Sequence, residues 1–252
     1  MQTKPSPRKI GLARALSKLG YCSRSEAAGL IRAGRVRLNG DARRDPESPV
    51  RDRDKISVDG RDIEPQQKIY LMMNKPRGLV TTASDEKGRE TVYSVLRQTN
   101  ESLTWVAPVG RLDKASEGLL LLTNDSEWGA RVASPETHLE KTYHVQIDVL
   151  ADEAFVASLV RGVADGDGEL LRAKSACVLR SGKKNCWLEI VLDEGRNRQI
   201  RRMIAALGVE VMRLVRVAIG PLQLGVLAKG QYRRLTASEK KLLDRGMLAR
   251  NS

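Results

Sequence analysis

The chain has 252 residues, 41% hydrophobic and 30% charged, a balance that excludes a disordered polymer and allows one large domain or a small one joined to a medium one. Its formal net charge of +13 points to a polyanionic partner, nucleic acid ahead of an anionic membrane surface. The longest aliphatic run, Leu119–Leu122, is far short of the roughly 20 residues of a membrane span, and the N-terminus lacks the apolar run of a signal peptide. Three cysteines with no close pairing read as reduced thiols. A cytoplasmic protein with no membrane partner is expected.

The charge is uneven. Residues 1–60 hold 14 Lys and Arg against 7 Asp and Glu, more than half of the whole excess. Residues 1–9 read as a disordered basic tail. Leu12, Leu16 and Leu19 then fall at helical spacing, ending near Gly20. Ser23 and Glu26 form a capping box for a second helix that buries Ala27, Leu30 and Ile31 and stops at Gly34. Short strands follow at Val36–Leu38, closed by the turn pair Asn39-Gly40, and at Ile56–Val58, closed by Asp59-Gly60. These elements define a small basic domain over residues 8–60. Residues 61–68, polar and with Pro65, read as a linker.

A larger domain is expected over 69–252. Its strands are read at 69–73, Leu103–Val109, Gly118–Thr123, Thr142–Val149, Cys186–Leu192 and Val211–Val217. Helices are read at Ser126–Ala133, Asp152–Val160 and Arg198–Leu207, and a last one opens at a second capping box, Thr236 with Glu239. No strict βαβ alternation is present. The class is therefore α+β, with a largely antiparallel mixed sheet and flanking helices.

Several chemistries have no residues to carry them. His138 and His144 have no cysteine cluster beside them, so no zinc ligand set forms. Neither a phosphate-binding P-loop nor a dinucleotide fingerprint occurs. Asp165-Gly166-Asp167-Gly168-Glu169 is too short for a calcium loop and reads as a tight turn. What remains is Asp113, set between Arg111 and Lys114 just before the leucine run. Four consecutive leucines imply a strand buried on both faces, with the carboxylate on the loop at its edge. A charged carboxylate there suits a nucleophile or a base, although a loop Asp beside Arg is ordinarily a turn or salt-bridge residue.

Gly110-Arg111-Leu112-Asp113, with Ser116, Gly118 and Leu119 behind it, resembles the G-R-L-D-x-x-[ST]-x-G-L-L signature of pseudouridine synthases. The group it is most similar to is the bacterial ribosomal RNA family called RsuA/RluB/RluE/RluF. Lys141-Thr142-Tyr143-His144-Val145, the stretch from Glu194 to Met203, and Asn74-Lys75-Pro76 with Gly78 resemble three further motifs of that family, in its order. Residues 8–60 resemble the small alpha-L RNA-binding module named after ribosomal protein S-four.

The resemblance implies isomerisation of a uridine in ribosomal RNA, by cutting the bond from ribose to uracil N1 and rejoining the base through C5. Such a reaction needs no cofactor and no metal. Asp113 would be the catalytic carboxylate, attacking sugar or base or removing a ribose proton. Tyr143 would stack on the extruded uracil, as a ring face can, and Arg201 would pair with the carboxylate. Arg111, Arg198 and Arg202 are expected as ligands of the substrate backbone, and Leu222 as part of an apolar floor under the base. Arg198 stands where the motif often has His.

Arg14, Lys18, Arg24, Arg32, Arg35 and Arg37 of the small domain are expected to hold RNA phosphates. The partner is ribosomal RNA, free or within an assembly intermediate, and the protein is expected to be a monomer. The large subunit is favoured by Gly78-Leu79-Val80-Thr81-Thr82 and Asp85, which resemble the members acting there. The alternatives are small-subunit or transfer RNA as substrate, or a non-catalytic ribosome-assembly protein.

Overall fold

A computed structural model describes residues 9–83, 85, 87–97 and 104–248. The basic tail read at residues 1–9 lies outside them except for Lys9. The chain divides into two compact units, one of Met1–Tyr70, Asn100–Ala107 and Leu122–Trp128, the other of Leu71–Thr99, Pro108–Leu121 and Gly129–Ser252.

In the first unit, β1 (Ile10–Gly11) leads into α1 (Leu12–Lys18) and α2 (Arg24–Arg32). Four short strands form one antiparallel sheet: β2 (Val36–Leu38), β3 (Asp41–Arg43), β5 (Ile56–Val58) and β6 (Arg61–Asp62), in the order β3-β2-β5-β6. Between them β4 (Pro49–Val50) pairs back onto β1. Ser23 Oγ accepts the Glu26 amide, so the expected cap starts α2. Both expected turns are present, with positive φ at Asn39 and Gly40 and at Asp59 and Gly60. That backbone matches the twist of the strands they join. Val36, Leu38, Ile56 and Val58 meet Leu12, Leu16, Ala27 and Ile31 in a closed core. Residues 61–68, read as a linker, are hydrogen-bonded to this unit. The Gln66 amide donates to the Leu19 carbonyl and Lys68 Nζ to that of Lys18.

The larger sheet is built from β7 (Tyr70–Lys75), β8 (Ala107–Val109), β9 (Glu117–Thr123), β10 (Lys141–Ile147), β13 (Ser175–Ser181), β14 (Cys186–Leu192), β15 (Val211–Ile219), β16 (Leu222–Gln223) and β17 (Tyr232–Arg234). Its order is β13-β14-β10-β15-β9-β7-β17, with β8 on β9 and β16 on β15. β15 runs parallel to β9; β13, β14, β10 and β15 are antiparallel to their neighbours along that run. A two-stranded ribbon joins β11 (Val163–Ala164) to β12 (Leu170–Leu171). The helices are α3 (Tyr93–Arg97), α4 (Ser126–Ala133), α5 (Glu153–Arg161), α6 (Gln199–Ala206) and α7 (Ala237–Leu248). The α+β class and the antiparallel bias expected from the sequence are both found. Every residue of β9 is buried, as four leucines in a row require.

Val145, Ile147, Leu188 and Ile190 on one face of the sheet pack with Leu159 of α5 and Met203 and Ile204 of α6. Thr236 and Glu239 exchange bonds as the second capping box, each amide donating to the other's side chain. The strand read at Leu103–Val109 is shorter, Ala107–Val109, and Leu103 lies outside the described residues. β13 was not expected. Among the described residues no helix is long and apolar enough to cross a membrane.

Candidate active site

Asp113 stands on the loop that joins β8 to β9, and buried groups hold that loop from below. Lys75, at the end of β7, is fully buried, and its Nζ donates to the carbonyls of Pro76, Asp113 and Ser116 at 2.9–3.2 Å. Burial pulls this ammonium down to about 8, although the Asp113 and Glu117 charges oppose the shift. Thr81 Oγ1 donates to the Leu112 carbonyl at 2.7 Å, and the Gly78 amide donates to that of Lys114. The Asp113 carbonyl accepts the Ser116 amide, which closes a turn. Gly118 then enters β9 at φ +103, and a Cβ there would overlap the backbone of Arg216 on β15. The glycine of the motif is thus fixed by the close approach of two strands.

The loop forms one wall of a cavity of about 650 Å³, large enough for one extruded nucleotide. Asp113, Tyr143, Arg111, Arg198 and Arg201 all line it. Tyr143 is half-buried on β10, opposite Ile190 of β14 and Arg216 of β15. A register shift between Thr142 and Tyr143 sets that pairing with Arg216, a common device for re-aiming a side chain beside a site.

The carboxylate pairs differently from expectation. Arg198 Nη1, and not Arg201, lies 3.4 Å from Asp113 Oδ2. Arg198 caps α6 in the left-handed conformation, φ +49 and ψ +29, which is uncommon for a residue with a long side chain. Arg201, one turn further on, instead braces backbone. Its Nη2 donates to the Ala115 carbonyl at 3.1 Å and its Nη1 to that of Val211 at 3.2 Å, while its Nε is buried with no partner among the described residues. Burial first, then the Arg198 charge, pulls its guanidinium below the ordinary value, and Asp113 opposes this.

Two expected substrate ligands are absent from the cavity wall. Arg202 is bound to Asp165 and Glu169 of the β11–β12 ribbon, so its charge is answered within the protein. The Asp165–Glu169 stretch is the tight turn expected: Asp165 Oδ1 accepts the amides of Asp167 and Glu169. Leu222 is buried in β16 opposite Ile219, and Leu192, Leu214 and Ile219 supply apolar wall in its place. Gln199, 2% exposed, donates to Glu194 and to the Arg172 carbonyl, and fixes the segment that carries Arg198.

Sequence reasoning assigned no role to three cations of the site: Lys75 beneath the loop, and Lys141 and Arg216 on the wall. Lys75 and Lys141 sit inside recognisable motifs, which was their signal. Arg216 had none, because an Arg in a strand usually faces water.

In the small unit, Arg14, Arg24 and Arg32 are exposed and form no ion pair among the described residues. Arg37 donates to the Gly40 carbonyl. Lys18 is paired with Glu127 at 2.5 Å and Arg35 with Asp59 at 2.5 Å, so their charge is partly answered within the protein.

A cavity that sets Asp113 and Glu194 among several guanidinium groups, in a chain that also carries a small basic unit, fits an enzyme that acts on RNA. Residues 69–206 match the RNA pseudouridylate synthase family, and residues 10–56 match the S4 domain. A ribosomal large subunit pseudouridine synthase B of Bacillus subtilis (strain 168) is 34% identical over 92% of this chain and 94% of its own length. An RNA pseudouridine synthase of Aquifex aeolicus (strain VF5) is 36% identical over 92% of each chain. A crystal structure of a pseudouridylate synthase superposes with a TM-score of 0.64 at 32% identity, over 93% of this chain and 99% of that one. The chain belongs to the RNA pseudouridylate synthase family and is an isomerase with RNA as its substrate.

Proposed function

We propose that this enzyme converts a uridine of large-subunit ribosomal RNA to pseudouridine, with Asp113 as the catalytic carboxylate. The observation that carries the reading is the shared cavity wall: Asp113 and Tyr143 face one space sized for a single nucleotide. Asp113 acts on the sugar or the base while Tyr143 offers its ring to the extruded uracil. Arg198 holds the carboxylate in the free enzyme and passes to a phosphate of the bound RNA; Arg111 is a second phosphate ligand. Arg201 sets the Asp113 loop through Ala115. The printed name of the Bacillus subtilis relative supports the large subunit as the source of the RNA.

Residues 8–60 act as the RNA-binding domain, 61–68 as its connection and 69–252 as the catalytic domain. Arg14, Arg24 and Arg32 supply its free phosphate contacts. The protein works as a cytoplasmic monomer and meets its RNA within an assembling subunit.

The test is a pseudouridine map of ribosomal RNA from cells lacking the gene. Loss of a modification in large-subunit RNA, restored by wild-type protein and not by Asp113→Asn, is the expected result. An unchanged map in both subunits with slowed subunit assembly would replace the enzyme reading with a binding one.

A further inference from the structure

Lys141 and Arg216 are cations on the cavity wall for which pairing of the carboxylate leaves no task. Lys141 alternates with Tyr143 along β10, so both face the same side of the sheet. Arg216 stands directly across from Tyr143 on β15. Both line the cavity that holds Asp113. Arg216 is 5% exposed, its Nε donates to the Leu119 carbonyl at 2.8 Å, and its Nη2 is buried with no hydrogen-bond partner among the described residues. Lys141 is half-buried, and its ammonium makes no hydrogen bond or ion pair among the described residues. Burial, and then the Arg216 charge, pulls its ammonium below the ordinary value, with Asp193 opposing. A buried guanidinium and a half-buried ammonium beside one tyrosine, one with an N–H group that has no partner among the described residues, are costly to hold together unless an anion joins them.

The reaction supplies one. When ribose C1′ parts from uracil N1, the bonding electron pair stays with the base, and the negative charge spreads from N1 onto the uracil carbonyl oxygens. Asp113 answers the sugar, by bonding to it or by taking a ribose proton. The base turns and C5 bonds to C1′ as the Asp113–sugar bond breaks or the ribose proton returns; C5 loses its proton and N1 gains one, so the product is an isomer. Between the two bonds the base is a free anion that must neither escape nor lose its place.

We propose that Lys141 and Arg216 form an electrostatic seat that retains and stabilises the detached uracil anion beside Tyr143. Donors aimed at charge that develops only during reaction act on the rate and little on ground-state binding. The inference rests on the pseudouridine synthase reading, and wild-type conversion of the same RNA is the control for that reading.

The experiment measures single-turnover loss of the glycosidic bond in RNA carrying uridine or 5-fluorouridine at the target. Lys141→Met is expected to slow uridine cleavage about 10²–10³-fold, with RNA affinity within about threefold of wild type. Lys141→Arg restores most of the rate. The fluorine stabilises the anion by itself, so the Lys141→Met defect shrinks on the fluorinated RNA. A wild-type rate in Lys141→Met overturns the proposal. So does an equal loss on both RNAs that arginine does not restore, which marks a structural role. If wild-type protein leaves uridine unconverted, the functional reading fails instead.

Discussion

Arg198 reaches Asp113 from the N-cap of α6 and approaches its carboxylate at 3.4 Å, from a backbone conformation that few long side chains adopt. Arg201, on the first turn of the helix, holds the backbone two residues past the carboxylate and not the carboxylate itself. Pairing thus falls to Arg198 and bracing to Arg201, although the motif points to Arg201 for the pairing. At 3.4 Å between half-exposed partners the pair is loose, so an entering RNA phosphate can displace it.

The division predicts different defects. Arg198→Ala is expected to leave the melting temperature within about 4 °C of wild type, since exposed pairs contribute about 0–1 kcal/mol. Its KM for RNA should rise by about tenfold. Arg201→Met removes two part-buried bonds to backbone carbonyls and should lower stability by about 2–3 kcal/mol. Thermal melts and steady-state kinetics of the two variants separate the roles.

Lys75 predicts a pH dependence of stability. Its ammonium is lowered on folding from 10.5 to about 8, so between those pH values the unfolded chain binds the extra proton. Unfolding free energy from this group therefore rises with pH across that window and is flat below about 8. Wild type should gain stability relative to Lys75→Met between pH 8 and 10. Denaturant titrations at several pH values measure this, and a falling difference would refute it.

Gly118→Ala adds a methyl group where the Arg216 carbonyl lies, at a φ of +103 that favours glycine. A loss of about 2–4 kcal/mol is expected. Gly88, also at positive φ but with open space around it, should cost less on the same change. Chemical denaturation of both variants tests the difference.

Binding by the small unit should depend on its unpaired cations. Replacing Arg14, Arg24 and Arg32 together by Ala should flatten the slope of log affinity against log salt by about 0.7–0.9 for every RNA phosphate that is no longer neutralised. The double variant of Lys18 and Arg35, whose charges are met by Glu127 and Asp59, should flatten it less.

Much of this was legible in the chain. Asn39-Gly40 and Asp59-Gly60 announce hairpins because both residues take positive φ, and Ser23 with Glu26 marks a helix start because its donors need acceptors. Leu119–Leu122 announces a strand without a solvent face. β13 was invisible because it is an edge strand, exposed at every position but Ala176, and so shows no alternation. Arg202 and Leu222 lie off the cavity wall although neighbours in sequence line it. Their direction is set by partners elsewhere in the chain, Asp165 and Ile219. The pairing of Asp113 with Arg198 follows from one left-handed residue, which local sequence does not announce.

The most direct measurement uses purified protein and large-subunit ribosomal RNA from cells lacking the gene. Pseudouridine is mapped after incubation with wild type or Asp113→Asn, and RNA affinity is measured for both. Wild type should modify a defined uridine, while the variant folds, binds within about threefold of wild type and makes no pseudouridine. Pseudouridine formation by Asp113→Asn at the wild-type rate would contradict the assignment of the carboxylate.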